Sequence, residues 1–302
     1  MRDFATVLQQ AGARLARDGS QPVRLFHGRG HCCPGYEDVT VDLFPPFLLV
    51  TGHDPQRDDY AALAARLCGR LPGIDGVCLQ VRQGQRSRTL TVCGCVPDEH
   101  VVSEQGLRYR VRLRANQNVG LFLDMAPARR WLRSIAAGAR VLNLFAYTCA
   151  FSVAALAGGA HLVVNNDMNR RVLDWGRDNH RLNGHDARAV RMLAYPLFKC
   201  WPKVRAHGPY DIIVIDPPSR QHGSFVAERH YGRVLERLPT LAAPGARVLA
   251  ALNSPFLDGD FLPREMARCC PDSHFSGALQ RSDDFPERDP ARGLKLALFR
   301  LR

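Results

Sequence analysis

Two acids and a pair of prolines define the chemistry open to this chain. Asp167 closes the run His161-Leu162-Val163-Val164-Asn165-Asn166-Asp167. An acid at the end of an apolar strand can accept hydrogen bonds from both hydroxyls of a ribose. The same acid could instead cap the helix expected from Asn169. Asp216 closes a second apolar run, Tyr210-Asp211-Ile212-Ile213-Val214-Ile215, and Pro217, Pro218 and Ser219 follow it. The prolines fix φ and remove two donors, so the loop is stiff and offers carbonyls. Such a loop can hold a planar base by its amino group, and Asp216 can orient that base or take a proton. A third stretch, Val141-Leu142-Asn143-Leu144-Phe145-Ala146-Tyr147-Thr148-Cys149, passes from strand to loop to helix, where backbone N–H groups can meet a ligand. The G-x-G-x-x-G of a dinucleotide site is absent there, which argues against a nicotinamide enzyme.

These residues need elements to position them. From about residue 129 the pattern alternates strand and helix. Helices are expected over 127–137, 151–157, 169–182, 226–241 and about 261–269. Strands are expected over 140–145, 161–165, 189–193, 211–215, 247–252 and 294–301. Strands apolar on both faces mean a buried parallel sheet covered by helices, an α/β doubly wound fold. Ligands of such a sheet bind beyond the carboxyl ends of its strands, at the topological switch point. Residues 1–104 read as a smaller α+β domain, with helices over 3–17 and 60–71 and strands over 39–44, 47–50, 77–81 and 89–96. Residues 105–302 form the second domain. At 107–114 strict alternation predicts a strand with Arg108, Arg110, Arg112 and Arg114 on one face. That face is either a solvated edge or a stripe that tracks phosphates, and both readings stay open.

The 302 residues carry a formal charge of +12 and a pI of about 9.6. This balance favours a polyanionic partner, although arginine-rich proteomes raise pI for other reasons. The ten cysteines include the adjacent pairs Cys32-Cys33 and Cys269-Cys270 but no C-x-x-C. They read as reduced, mostly buried small residues, with no metal. No apolar run reaches membrane-spanning length and the first residues lack a signal-peptide pattern, so a cytoplasmic protein without membrane contact is expected.

Four segments together carry a family resemblance. Gln117-Asn118-Val119-Gly120-Leu121-Phe122-Leu123-Asp124-Met125, then Asn143-Leu144-Phe145-Ala146-Tyr147-Thr148, then Asn166-Asp167-Met168, then Asp216-Pro217-Pro218-Ser219 stand in family order and spacing. The chain resembles bacterial 23S ribosomal RNA methyltransferases of the large-subunit I and K type. The likeness covers residues 105 to 300 well. Arg24-Leu25-Phe26-His27-Gly28-Arg29-Gly30 and Pro34-Gly35-Tyr36 look like the family's small central domain. The separate N-terminal PUA domain of some members has no counterpart in this sequence. The resemblance implies a Rossmann-like class I methyltransferase sheet, S-adenosyl-L-methionine as cofactor and an RNA base, within 23S ribosomal RNA, as acceptor. It assigns Phe122, Asp124, Asn143, Phe145, Ala146, Tyr147, Thr148, Asp167, Met168 and Asp216 to the cofactor. It assigns Asp216, Pro217 and Pro218 to catalysis, and Ser219 to the substrate. Arg110, Arg112 and Arg114 join Ser219 if the stripe meets RNA.

Several positions depart from the family pattern. Cys149 stands where many relatives have Gly, and a Cβ there narrows the approach to the cofactor. The stretch Met192-Leu193-Ala194-Tyr195-Pro196-Leu197 lacks the acid with which many relatives bind adenine. Arg220 stands where an aromatic residue is common, so Phe225 or Tyr231 substitutes only if the loop folds back. Cytosine-C5 methylation needs a thiolate, yet Leu252-Asn253-Ser254-Pro255-Phe256 has no cysteine where members with that activity carry one. A base nitrogen is therefore the expected acceptor. A methyltransferase acting on a protein or small molecule, and an RNA-binding relative with weakened catalysis, are the alternatives. A monomer and a homodimer are both open.

Overall fold

Apolar strands build two main sheets, and each has its own core. The computed structural model describes residues 2–84, 86–115, 117–218, 220–221 and 225–302, without the side chains of 86, 220 and 221. One compact unit comprises Met1–Asp124 and Ser282–Arg288; the other comprises Met125–Arg281 and Asp289–Arg302. The expected boundary after residue 104 falls inside a hairpin. The units part at Asp124 instead, because that hairpin and the chain after it stay with the first unit.

The first unit starts with helix α1 (Ala5–Asp18). Its five-stranded sheet runs β1 (Val23–His27), β2 (Val39–Phe44), β3 (Phe47–Gly52), β4 (Gly76–Gln83) and β5 (Arg86–Gly94), in that spatial order. Only β3 and β4 pair in parallel, and helix α2 (Tyr60–Arg70) makes the crossover between them. Phe4, Val7 and Ala11 of the α1 segment and Leu63 and Leu67 of α2 pack on Val23, Leu25, Val41, Val50 and Leu79. The sequence reading missed β1, whose five residues carry no clean alternation. It also read every cysteine as reduced, whereas Cys68 of α2 and Cys93 of β5 form a disulfide. The packing of α2 against β5 brings together two residues that the sequence separates by 25 positions.

A hairpin of β6 (His100–Glu104) and β7 (Leu107–Val111) follows. The strand expected to reach 114 stops at Val111, where its partner begins at His100. Arg112 leaves the ladder and its N–H donates to Val119 O at 2.9 Å.

The second unit opens with helix α3 (Ala126–Ile135), which has Pro127 in its first turn, where no N–H partner is needed. Then come β8 (Arg140–Leu144), α4 (Ala150–Ala157), β9 (Leu162–Asp167), α5 (Arg170–Leu182), β10 (Val190–Ala194), α6 (Trp201–Arg205) and β11 (Tyr210–Ile215). A small hairpin of β12 (Arg220–Gln221) and β13 (Phe225–Val226) precedes α7 (Ala227–Leu235) and α8 (Leu238–Leu241). The single helix expected over 226–241 breaks after Leu235 because Pro239 cannot continue its hydrogen bonds. The unit closes with β14 (Ala242–Leu252), α9 (Phe261–Cys269), β15 (Ser273–Ala278) and β16 (Lys295–Leu301).

Seven strands make its sheet, in the order β10-β9-β8-β11-β14-β16-β15. The first five are parallel, and β16 returns antiparallel between β14 and β15. One face packs on α3 and α4 through Val141, Val163, Ile212 and Leu249. The other packs on α6 to α9 through Leu142, Val164, Ile213 and Val248. Burial on both faces explains why these strands read as nearly unbroken apolar runs. No helix among the described residues is long and apolar enough to cross a membrane.

Candidate active site

The order of strands fixes where a site can form. From β8 the chain winds outward to β9 and β10, then returns to place β11 on the other side of β8. The carboxyl ends of β8 and β11 are therefore the switch point. Leu144 pairs with Ile215 on one side and Asn166 on the other. The loop after Leu144, Asp167 and Asp216 thus leave the sheet at one level.

Asp167 is built into that edge. Its Oδ2 accepts from the N–H of Tyr147 at 3.0 Å and its Oδ1 from the N–H of Asn169 at 2.9 Å. Burial pushes its pKa up, while the two N–H donors pull it down. Capping does not explain it: the cap of α5 is Asn169, whose side chain accepts from the N–H of Arg171. Each carboxylate oxygen keeps lone-pair capacity beyond its one backbone donor. That pair of acceptors fits a ribose with two adjacent hydroxyls, and adenosylmethionine presents one.

The loop from Phe145 to Cys149 has an unusual backbone. Phe145, Tyr147 and Cys149 have φ of 58°, 46° and 63°. Left-handed backbone costs a non-glycine residue roughly 1 kcal/mol. Here it is held by bonds to neighbours. Ala146 N–H donates to Asn166 O at 2.9 Å, and the Asn179 amide donates to Thr148 O at 2.9 Å. The conformation aims Tyr147 N–H at Asp167. Asn179 was not singled out by the sequence reading; a buried polar residue on the inner side of α5 is the only signal it left.

Asn143 has a different place from the one expected. It is buried, and its amide donates to Asn165 Oδ1 at 2.9 Å. Asn165 donates to Ser152 Oγ at 3.0 Å, Ser152 meets His180 Nε2, and His180 Nδ1 meets His185 Nδ1. This polar chain ties β8, β9, α4 and α5 together under the site. Asn143 points into it because its side chain shares the face of Val141, below the α4 helix. Asn166, on the opposite face, donates to Leu193 O and Tyr195 O, each at 3.0 Å, and shapes the turn after β10. In that turn Tyr195 is exposed, with Lys203 Nζ 4.7 Å from its ring centre. Met168 stands exposed next to Asp167.

Cys149 does not narrow the cofactor's approach. Its side chain is fully buried beneath α5, near Met192 Sδ at 3.8 Å. Gly176 makes the room: a Cβ there would lie 2.4 Å from the sulfur. Burial raises the thiol's pKa, so it stays protonated.

On the other side of the switch point Asp216 is half-buried, Pro217 is buried and Pro218 is exposed. Ser219 lies outside the described residues. The following chain does fold back, through the β12–β13 hairpin. Phe225 is buried with its ring centre 5.0 Å from that of Phe145, edge to face. Tyr231 donates its hydroxyl to Ala251 O at 3.0 Å and lies 3.3 Å from Ile215 O. Both aromatics brace the strand ends from beneath.

The first unit holds the remaining expected residues. Phe122 is exposed, and Asp124 lies in a 3-10 turn, Leu123–Met125, that leads into α3. The arginine face of β7 alternates as expected, but it meets acids. Arg110 and Arg112 pair with Glu99 at 3.2 and 2.6 Å, and Arg114 pairs with Asp98 at 3.1 Å. Much of the stripe's charge is compensated within its own unit.

Comparison with known proteins agrees with this geometry. The family model described as S-adenosylmethionine-dependent methyltransferase matches residues 23–300. Ribosomal RNA large subunit methyltransferase I of Aeromonas hydrophila is 34% identical over 214 residues, covering 68% of this chain and 53% of that protein. Ribosomal RNA large subunit methyltransferase K/L of a Psychrobacter species is 37% identical over 161 residues, covering 51% of this chain and 20% of its own length. The chain thus spans about half the length of the first relative and a smaller share of the second. A solved structure of a candidate SAM-dependent methyltransferase from Streptococcus mutans superposes with a TM-score of 0.87 at 24% identity, over 100% of this chain and 82% of the other. The chain belongs to the S-adenosylmethionine-dependent methyltransferase family.

Proposed function

We propose that this protein methylates a base nitrogen of large-subunit ribosomal RNA, in the cytoplasm, with S-adenosylmethionine as donor. The placing of the thiols carries the choice of nitrogen. Attack on cytosine needs a thiolate that adds to C6. In the second unit Cys149, Cys200 and Cys270 are buried and Cys269 is half-buried. Burial raises the pKa of all four. None of them stands beyond the ends of β11 or β14. RNA as substrate is supported by the names of the two relatives and by the charge of +12.

Bound adenosylmethionine supplies an electrophilic methyl group on a sulfonium. Asp167, fixed by Tyr147 and Asn169, takes the ribose hydroxyls. Phe145 to Thr148 line the methionine end, and Met168 and Tyr195 offer apolar faces to the adenine in place of an acid. Phe122 and Asp124 are assigned on the resemblance alone. Asp216 and the carbonyls beside Pro217 and Pro218 would hold the base with a nitrogen lone pair turned to the methyl group that the cofactor would supply. Asp216 then accepts the proton that the nitrogen releases. Positioning of this kind can supply roughly 7–11 kcal/mol of barrier reduction.

Mass spectrometry of ribosomal RNA nucleosides from cells with and without the protein tests the reading. An N-methylated base lost on deletion and restored by the wild-type chain, but not by Asp216→Ala, is the expected result. Loss of 5-methylcytosine instead, or no change in any ribosomal nucleoside, contradicts it.

A further inference from the structure

The first unit carries a concentration of positive charge that the methyl-transfer site does not use. Strands β1, β3 and β4 run the same way, because β2 is antiparallel to both β1 and β3 and β4 is parallel to β3. Their carboxyl ends deliver Arg29, His53 and Arg82 to one edge of the sheet. Gly52 pairs with Val81, so His53 follows at the level of Arg82. Arg29 Nη1 and His53 Nδ1 are 2.9 Å apart.

The acids nearby are taken by other groups. Asp42 forms a two-pronged pair with Arg24 at 2.7 and 2.9 Å. Glu287 lies 3.4 Å from His27, which also meets Arg24. Asp38 pairs with Arg2 and Arg57. Arg82 donates to the Gln80 side chain and to Gln117 O, and Arg29 meets the ring of His53, so their partners are neutral. Burial depresses both arginines and holds His53 at about 3; neighbouring guanidiniums add to this, and Glu287 at Arg29, Asp42 at Arg82 and Asp38 at His53 offset it in part.

Arg29 is also presented rigidly. A Cβ at Gly28 would lie 1.8 Å from Tyr36 O, and one at Gly30 would lie 1.7 Å from Pro286 O. Arg288 N–H bonds Gly30 O at 2.7 Å. Two glycines thus let the chain press against backbone on both sides, and the residue between them projects its exposed side chain from a fixed turn. A surface arginine kept only for solubility needs no such mounting.

We propose that Arg29, Arg82 and His53 form a binding site for a phosphodiester of the RNA backbone, separate from the cofactor site. Arginine offers the forked donors that match phosphate oxygens. Neutral His53 accepts from Arg29 in the free protein and turns an N–H to the phosphate when it binds. The proposal rests on RNA being the substrate.

Fluorescence anisotropy of the full chain with a fluorescein-labelled single-stranded RNA oligonucleotide, over a series of KCl concentrations, tests it. Loss of one phosphate contact to a single strand lowers the log–log salt slope by about 0.7. Arg29→Gln is expected to weaken binding about fivefold at low salt and reduce the slope by that amount. Arg29→Lys keeps the slope, and Arg82→Gln repeats the loss. Circular dichroism and a thermal unfolding profile matching the wild type show that each variant is folded in both units. Folded Arg29→Gln and Arg82→Gln proteins with the wild-type affinity and slope overturn this site and leave the RNA reading standing. A wild-type chain that binds no RNA at low salt overturns both.

Discussion

The two units place polar groups at the carboxyl ends of like-running strands, but they do so by different means. In the second unit a parallel sheet with a switch point collects Asp167, Asp216 and the Phe145–Cys149 loop, and a buried chain from Asn143 to His185 braces them. In the first unit a mostly antiparallel sheet collects arginines around histidines, with Asp38, Asp42 and Glu287 offsetting them in part. The first arrangement gathers hydrogen-bond acceptors, which suits a neutral sugar and a base. The second concentrates cationic donors, which suits a phosphate. The contrast shows that sheet topology alone locates a site, while the charge around it decides what the site can hold.

The largest expected effect separates chemistry from binding. Asp216→Ala should lower single-turnover methyl transfer by about a thousandfold, within the usual range for a lost proton acceptor. Cofactor affinity by calorimetry should change less than threefold. An equal loss in both would place Asp216 with Asp167 as a cofactor ligand.

A smaller effect tests the brace. Asn165→Ala removes the middle of the polar chain and leaves the buried Asn143 amide without its acceptor, while the Ser152 hydroxyl keeps His180. Urea unfolding should show about 2 kcal/mol of lost stability, from one buried group left without a partner. A loss under about 1 kcal/mol would mean that water replaces the side chain.

Acid should weaken both units. Burial holds His180 down at about 3, and burial with nearby guanidiniums does the same for His27. A histidine depressed in the folded state contributes in full above its unfolded value near 6.5, and its contribution falls as pH drops toward 3. His180 alone should cost about 2 kcal/mol between pH 7 and pH 5, read from urea unfolding at the two values. His180→Phe should flatten that part of the pH dependence; an unchanged profile would assign the acid sensitivity to the first unit.

A comparable effect concerns a close fit in the second unit. Gly176→Ala should destabilise by about 2 kcal/mol, because its Cβ meets the Cys149 sulfur. In a Cys149→Gly background the same change should cost less than about 0.5 kcal/mol. Equal costs in both backgrounds would show that the sulfur is not the obstacle.

How much of this was legible in the sequence follows the same division. The ends of β9 and β11 were readable because each is an apolar run closed by an acid, and the parallel order gives Asp167 and Asp216 one meeting place. Asn143 was misplaced because the alternation of a strand buried on both faces carries no sign of which side holds the site. The return of Phe225 to Phe145 depends on a hairpin of two-residue strands, too short to leave a pattern. The arginine cluster was invisible for a further reason. It joins residues separated by up to 260 positions, such as His27 and Glu287, through a chain return that no local signal announces. The arginine stripe was visible as a pattern, but its pairing with Glu99 and Asp98 was not.

We propose that Asp167, oriented by the strained loop, anchors the cofactor. Calorimetric titration of adenosylmethionine into the wild-type chain and into Asp167→Ala tests it most directly. The wild-type chain should bind one equivalent, and the variant, still folded by circular dichroism, should bind about a hundredfold more weakly, as expected for two hydrogen bonds to a charged group. Equal affinity in the two proteins would contradict the account.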